Sequence, residues 1–181
     1  MYWGSSTGTL HYMAILHLLM GLPGSGKSTL AKKLEHETGA IRLSSDELRL
    51  VLFPQPTFSQ NEHDALYEIL DKTVDTLLEK GYDVVYDANL NRRMHRDEKY
   101  ALARAHHTRI VLWWVDTDRE VAKDRRLSEQ NHILIPDGDT PENLFERITR
   151  VLEEPDATEP CIKVDGSDIA NVDVQAVINN K

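Results

Sequence analysis

A chain of 181 residues with 40% hydrophobic content has the size of one domain and the apolar residues to fill one core. Its net charge of −9, with acids spread along the chain and no run of lysines or arginines, repels phosphodiester backbones and disfavours tight binding of long nucleic acid. No apolar run nears the ~18 residues of a membrane span, no lysine or arginine precedes Lys27 to form a signal peptide's n-region, and the one cysteine, Cys161, excludes an internal disulfide, which fits a reducing cytoplasm.

Residues 1–12 lack periodicity and precede a second methionine, Met13; they are expected to form a loose extension to a single domain spanning 13–181. Ile15–Met20 is a short apolar strand, and the turn after it opens a helix from Ser28 to Glu37, with Leu30, Ala31 and Leu34 at helical spacing and Gly39 as a stop. Within the turn, Gly21, Gly26, Lys27 and Ser28 satisfy G-x-x-x-x-G-K-[ST]. Each residue type has a physical task there. Gly21, Gly24, Ser25 and Gly26 fold into a nest of backbone N–H donors. The first helical residues, Lys27, Ser28 and Thr29, turn unpaired amides and the positive dipole end toward the same anion. Lys27 adds a point charge for the outer phosphates, and the Ser28 hydroxyl suits Mg²⁺. A four-point match arises by chance in roughly 1% of chains this long, and its strand-to-helix context makes this a nucleotide site.

Ala40–Leu43 reads as a second strand, after which Ser44 and Glu47 stand in capping-box spacing at the start of a helix ended by Pro54 and Pro56. Asn61–Lys80 is a long amphipathic helix with Leu66, Ile69, Leu70, Val74, Leu77 and Leu78 inward. A strand over Tyr82–Asp87, a helix over Asn91–His106 and the apolar strand Arg109–Val115 follow, with Trp113 and Trp114 on opposite faces. Thr117 or Asp118 caps a helix to about Glu129, Pro136–Asp139 is a turn, and Pro141–Glu153 is helical. The chain closes with a strand over Cys161–Asp165 and a weaker helix over Asp168–Asn179. Strands alternating with helices predict an α/β fold with a parallel sheet covered on both faces. Pro54–Gln60 and Glu129–Thr140 are the expected mobile segments.

Ligands of open parallel sheets lie at the carboxyl ends of the strands, so the glycine turn, Asp46 and Asp87 converge on one edge. Asp46 is either the base that accepts a proton from an attacking hydroxyl or an acid favourable to the helix dipole. Asp87 either helps hold Mg²⁺, usually through water, or accepts turn hydrogen bonds. It is followed by Ala88 and Asn89, without the glutamate with which motor-type ATPases polarise water, and this favours transfer to a bound acceptor over hydrolysis. Arg125 and Arg126 precede the second mobile segment, so one of them is a candidate for closing over the phosphates, the alternative being a solvated pair. Arg49, one turn after Asp46, and Arg92 with Arg93 either contact the acceptor or pair on the surface.

The loop Gly21–Ser28, the element Ser45-Asp46-Glu47-Leu48-Arg49 and Asp87-Ala88-Asn89-Leu90-Asn91 together resemble the P-loop kinases of the polynucleotide-kinase type, which group with zeta-toxin-like and chloramphenicol-phosphotransferase-like enzymes. The resemblance runs from Ile15 to about Asp165. It implies a three-layer P-loop fold with strand order 2-3-1-4-5 and a lid over roughly 119–145. It also implies ATP as the donor, Mg²⁺ with Ser28 and Asp87, Lys27 on phosphate, Asp46 as general base and Arg49 on the acceptor. Family members often carry two lid arginines four apart; here Glu129 and Gln130 stand at the second position. The expected activity is ATP-dependent transfer of the γ-phosphate to a hydroxyl of a small molecule or nucleotide. The alternatives are a nucleotide-dependent binding or switch module or an ATPase without a transferable acceptor and, more narrowly, a polynucleotide 5′-hydroxyl kinase; neither acceptor identity nor oligomeric state follows from the sequence.

Overall fold

The computed structural model describes residues 13–129, 135–136 and 138–179. The expected N-terminal extension over 1–12 lies outside the described residues, as does part of the expected mobile segment Glu129–Thr140. Five parallel strands form one sheet in the order β2-β3-β1-β4-β5, as the resemblance implied. They are β1 (Ile15–Met20), β2 (Ile41–Ser44), β3 (Val84–Asp87), β4 (Arg109–Asp116) and β5 (Cys161–Asp165). The helices are α1 (Lys27–Thr38), α2 (Ser45–Leu52), α3 (Gln60–Glu79), α4 (Arg93–Ala105), α5 (Arg119–Ser128), α6 (Pro141–Arg150) and α7 (Val174–Asn179). None of the described helices is long and apolar enough to cross a membrane.

Central β1 is buried along its whole length because helices cover both faces of the sheet. Alternation sends Ile15 and Leu19 into one core with Leu30, Ala31 and Leu34 of α1 and Val174 of α7. Leu16, Leu18 and Met20 join the other core, with Leu70, Val74 and Leu78 of α3 and Tyr100 and Ala103 of α4. Trp113 and Trp114 divide between these faces as expected, Trp113 fully buried and Trp114 packed against the second core.

Several boundaries shift for identifiable reasons. Strand β3 begins at Val84 because the Asp83 carboxylate accepts from Ile15 N–H at 2.7 Å instead of letting the ladder start earlier. Helix α4 begins two residues later than expected, since Asn91 turns its side chain to the glycine loop. The expected helix over Asp168–Asn179 is a 3₁₀ turn at Ile169–Asn171 and a separate α7, whose start is capped by Asp173 accepting from Ala176 N–H at 2.9 Å. On α3, Ile69 is not inward as expected but 40% exposed.

Candidate active site

The loop between β1 and α1 folds as its composition requires. Gly21 has φ +144° and Gly24 φ +77°, and a Cβ at either would meet a carbonyl, Val115 O at 2.4 Å or Ala122 O at 2.2 Å. The loop is pinned from the end of β4 by the Thr117 hydroxyl, which donates to Ser25 O at 2.9 Å. Lys27 Nζ donates back to the carbonyls of Gly21 at 3.1 Å and Leu22 at 2.7 Å. Burial pushes the Lys27 amine down to about 8, against the carboxylates of Asp87 and Asp46.

Parallel pairing of β3 beside β1 brings Asp87 to the start of α1, where the Ser28 hydroxyl donates to its Oδ1 at 3.3 Å. The other Asp87 oxygen accepts from Arg42 Nη1 at 3.0 Å. Arg42 is itself clamped by Glu47 at 2.5 Å and Glu35 at 3.3 Å. Burial holds the Asp87 carboxyl above the usual carboxylate range in spite of Arg42. Two hard oxygens facing each other beside a phosphate loop suit Mg²⁺.

Helix α2 is capped as its sequence predicts, with Ser44 Oγ accepting from Glu47 N–H at 3.3 Å. That cap sets Asp46 in the first turn at the cleft mouth, where the side chain meets cleft solvent while protein surrounds it. Burial and the nearby Asp87 raise its carboxyl above the usual range; Lys27, Arg126 and Arg49 oppose the shift. Arg49 is buried between two partners, Glu62 at 3.8 Å and the Phe58 ring, whose centroid lies 4.9 Å from the guanidinium carbon. Its Nη1 is buried without a hydrogen bond among the described residues.

A cleft of about 890 Å³ joins these groups. Its walls include Gly21, Gly24, Gly26, Lys27, Ser28, Thr29, Asp46, Arg49, Asp87, Arg125 and Arg126, so nearly every expected site residue meets in one space. Ser25 lies beneath the loop, fully buried, and Arg92 is exposed at the N-cap of α4, outside the cleft lining. Of the two α5 arginines, Arg125 Nη1 donates to Gly166 O at 3.0 Å, and Arg126 pairs with Glu129. Glu129 thus answers Arg126 where a second lid arginine was looked for; Gln130 lies outside the described residues. Helix α6 closes the same side with Leu144 and Ile148, tied to α5 by Arg119–Glu146 at 2.5 Å.

Sequence reasoning missed the opposite wall, formed by Gly166, Ser167, Ile169 and Ala170 after β5, although the strand-end rule reaches it. It also missed Tyr67 of α3, a lining residue, and the bracing of Asp87 by Arg42. The segment Pro54–Gln60, expected to be mobile, is fastened by Glu62, which accepts from Thr57 N–H at 3.0 Å, Thr57 Oγ1 at 2.8 Å and Phe58 N–H at 2.8 Å.

Comparison with known proteins agrees with this geometry. A putative kinase from Chloroflexus aurantiacus superposes with TM-score 0.72 at 18% identity, covering 93% of this chain and 96% of that one. The Mycobacterium tuberculosis APS kinase, solved with AMPPNP and APS, gives TM-score 0.62 at 20% identity over 92% of this chain and 98% of that one. A 2′,3′-cyclic-nucleotide 3′-phosphodiesterase from Rattus norvegicus is 29% identical over 110 residues, 59% of this chain and 25% of that protein. The chain therefore spans about a quarter of the length of the curated relatives it matches. Residues 16–155, most of the chain, match the AAA domain family. The chain belongs to that family, and its fold is the one those kinase structures share.

Proposed function

We propose that the protein transfers the γ-phosphoryl group of ATP to a hydroxyl of a small-molecule or nucleotide acceptor. The observation that carries this reading is the Asp46 carboxyl, which opens onto the same cleft as Lys27 and Ser28 with Arg49 and Arg126 around it. Asp46 takes the acceptor's proton as its oxygen attacks the γ-phosphorus, and the bond to the β–γ bridging oxygen breaks. ADP and a phosphomonoester leave. Gly21 N–H is taken by Asn91 Oδ1 and Ser25 N–H by Leu22 O, so those two residues shape the loop, and the backbone of Gly24 and Gly26 with the first turn of α1 binds the phosphates, while Lys27 and Arg126 take up charge that spreads onto the γ-oxygens. Ser28 and Asp87 would hold Mg²⁺, which when bound neutralises the β- and γ-oxygens. Arg125 braces the wall beyond the loop through Gly166, and Arg49 orients the acceptor. Arg92, exposed beside the cleft, is at most an outer contact for it.

The test is transfer of radiolabelled γ-phosphate to panels of nucleosides, nucleotides, oligonucleotides, sugars and antibiotics, with a water-only control. The likeness to a cyclic-nucleotide phosphodiesterase supports giving nucleotides and oligonucleotides a large share of the panel. Asp46→Asn is expected to keep nucleotide binding and lose about 10²–10⁴-fold in transfer. Rapid hydrolysis without acceptor stimulation, or full turnover in Asp46→Asn, sinks the reading.

A further inference from the structure

Asn91 has no part in the chemistry above, yet its side chain is bonded to the first residue of the phosphate loop. Its Oδ1 accepts from Gly21 N–H at 3.0 Å, its Nδ2 donates to Gly21 O at 3.1 Å, and the residue is 2% exposed. A side-chain amide is the neutral group that offers an acceptor and a donor together, and here both meet one residue's backbone. Gly21 O has a second donor, Lys27 Nζ, also at 3.1 Å. A lysine that moves onto phosphate has to leave that carbonyl, and a buried carbonyl left unpaired opposes the move. The Asn91 amide keeps Gly21 O paired.

The amide is not free to follow the loop. Asn91 O accepts from Glu153 N–H at 2.8 Å and from Arg96 Nη1 at 3.2 Å, and Asn91 N–H donates to Asn89 Oδ1 at 3.1 Å. The same Arg96 nitrogen donates to Leu90 O at 3.0 Å, and Arg96 is locked by a doubly bonded pair with Glu159 at 2.6 and 2.9 Å, buried on both sides. Gly21 is thus tied to a rigid frame built from α4 and the segment before β5.

We propose that Asn91 is a positioning residue for polyphosphate binding: it fixes Gly21 through both backbone atoms and satisfies the Gly21 carbonyl when Lys27 turns to a phosphate. The inference rests on the reading of Gly21–Ser28 as a phosphate site. It is tested with Asn91→Leu, which removes both bonds, and Asn91→Asp, which keeps the acceptor and loses the donor. Titration calorimetry with ADP and with inorganic tripolyphosphate reports affinity and the number of competent sites, and melting temperature is followed by circular dichroism. Both ligands are expected to bind at least tenfold more weakly to the variants while the site number stays near that of the parent protein. A merely structural role lowers the site number and melting temperature and leaves the affinity of the remaining sites unchanged, which overturns the proposal. If Asn91→Leu does not fold, Asn91→Ala, which removes both bonds without adding a charge beside the phosphate loop, takes its place. Lys27→Ala separates the two readings: weakened tripolyphosphate binding in Lys27→Ala beside parent-like binding in Asn91→Asp overturns the role of Asn91 only. Parent-like binding in Lys27→Ala removes the phosphate site and this inference with it.

Discussion

Glu159→Gln removes one charge from a buried pair and leaves the other in place. In the parent protein Glu159 Oε2 accepts from Arg96 Nε at 2.6 Å and Tyr100 OH at 2.7 Å, while Oε1 accepts from Arg96 Nη2 at 2.9 Å. Both charged side chains are fully buried. A glutamine keeps part of the hydrogen bonding but strands the Arg96 guanidinium without its counter-charge, a change that costs about 3–5 kcal/mol. Against a total stability of about 5–15 kcal/mol that is a large share, and for a chain of this size it lowers the melting temperature by roughly 6–20 °C. Replacing both partners, Arg96→Met with Glu159→Met, is expected to recover much of the loss, because no unpaired charge remains. The pH dependence adds an independent check. Burial pushes the Glu159 carboxyl up, and the hydrogen bonds from Arg96 and Tyr100 outweigh it and hold the group below its ordinary 4.5. A folded-state pKa below the unfolded one stabilises the protein above pH 4.5 and loses that contribution as pH falls through the folded value. The difference between parent and Glu159→Gln therefore narrows in acid. Urea unfolding at pH 7 and at pH 4 measures both effects. A single-variant loss under about 1 kcal/mol, or a gap that widens in acid, refutes the account of Arg96–Glu159 as a coupled buried pair.

Gly24→Ala places a Cβ 2.2 Å from Ala122 O and 3.0 Å from Arg126 N at φ +77°. Overpacking of this kind costs about 1–3 kcal/mol and presses α5, with Arg125 and Arg126, away from the loop; calorimetry is expected to show nucleotide affinity reduced tenfold or more, and parent-like affinity contradicts the close packing of loop and α5. The pH–rate profile for phosphoryl transfer is expected to be bell-shaped. Its acid limb belongs to the raised Asp46 carboxyl, which has to be ionised to act as base, and its alkaline limb to Lys27 near 8, which has to be protonated to meet phosphate. The residual activity of Asp46→Asn should keep the alkaline limb and lose the acid one, and an unchanged acid limb assigns it to another group.

Which of these features were legible in the sequence follows from how far apart in the chain the partners stand. The glycine loop and the Ser44–Glu47 cap are local devices, so a short window contains both the cause and the effect. Asp46 and Asp87 needed one further rule, that strand ends share an edge, and the parallel order β2-β3-β1 makes them neighbours. Arg42 and Asp87 stand 45 residues apart, Arg96 and Glu159 63, and Gly21 and Asn91 70. No periodicity links positions at those distances, because the pairings depend on strand register: Arg42 and Asp87 meet only once Ser44 is aligned with Asp87 across β2 and β3. Pro54–Gln60 misled for a different reason. Two prolines and no apolar rhythm look like slack chain, yet Ser59 and Glu62 are in capping-box spacing, and the Glu62 carboxylate reaches past the cap to Thr57 and Phe58. Most of the expected residues that line the cleft were therefore readable from chemistry and spacing, whereas the groups that hold them still, and the wall after β5, belong to the tertiary fold. A change to Asn91, Arg42 or Glu159 alters how firmly the site is held without removing any group proposed to react.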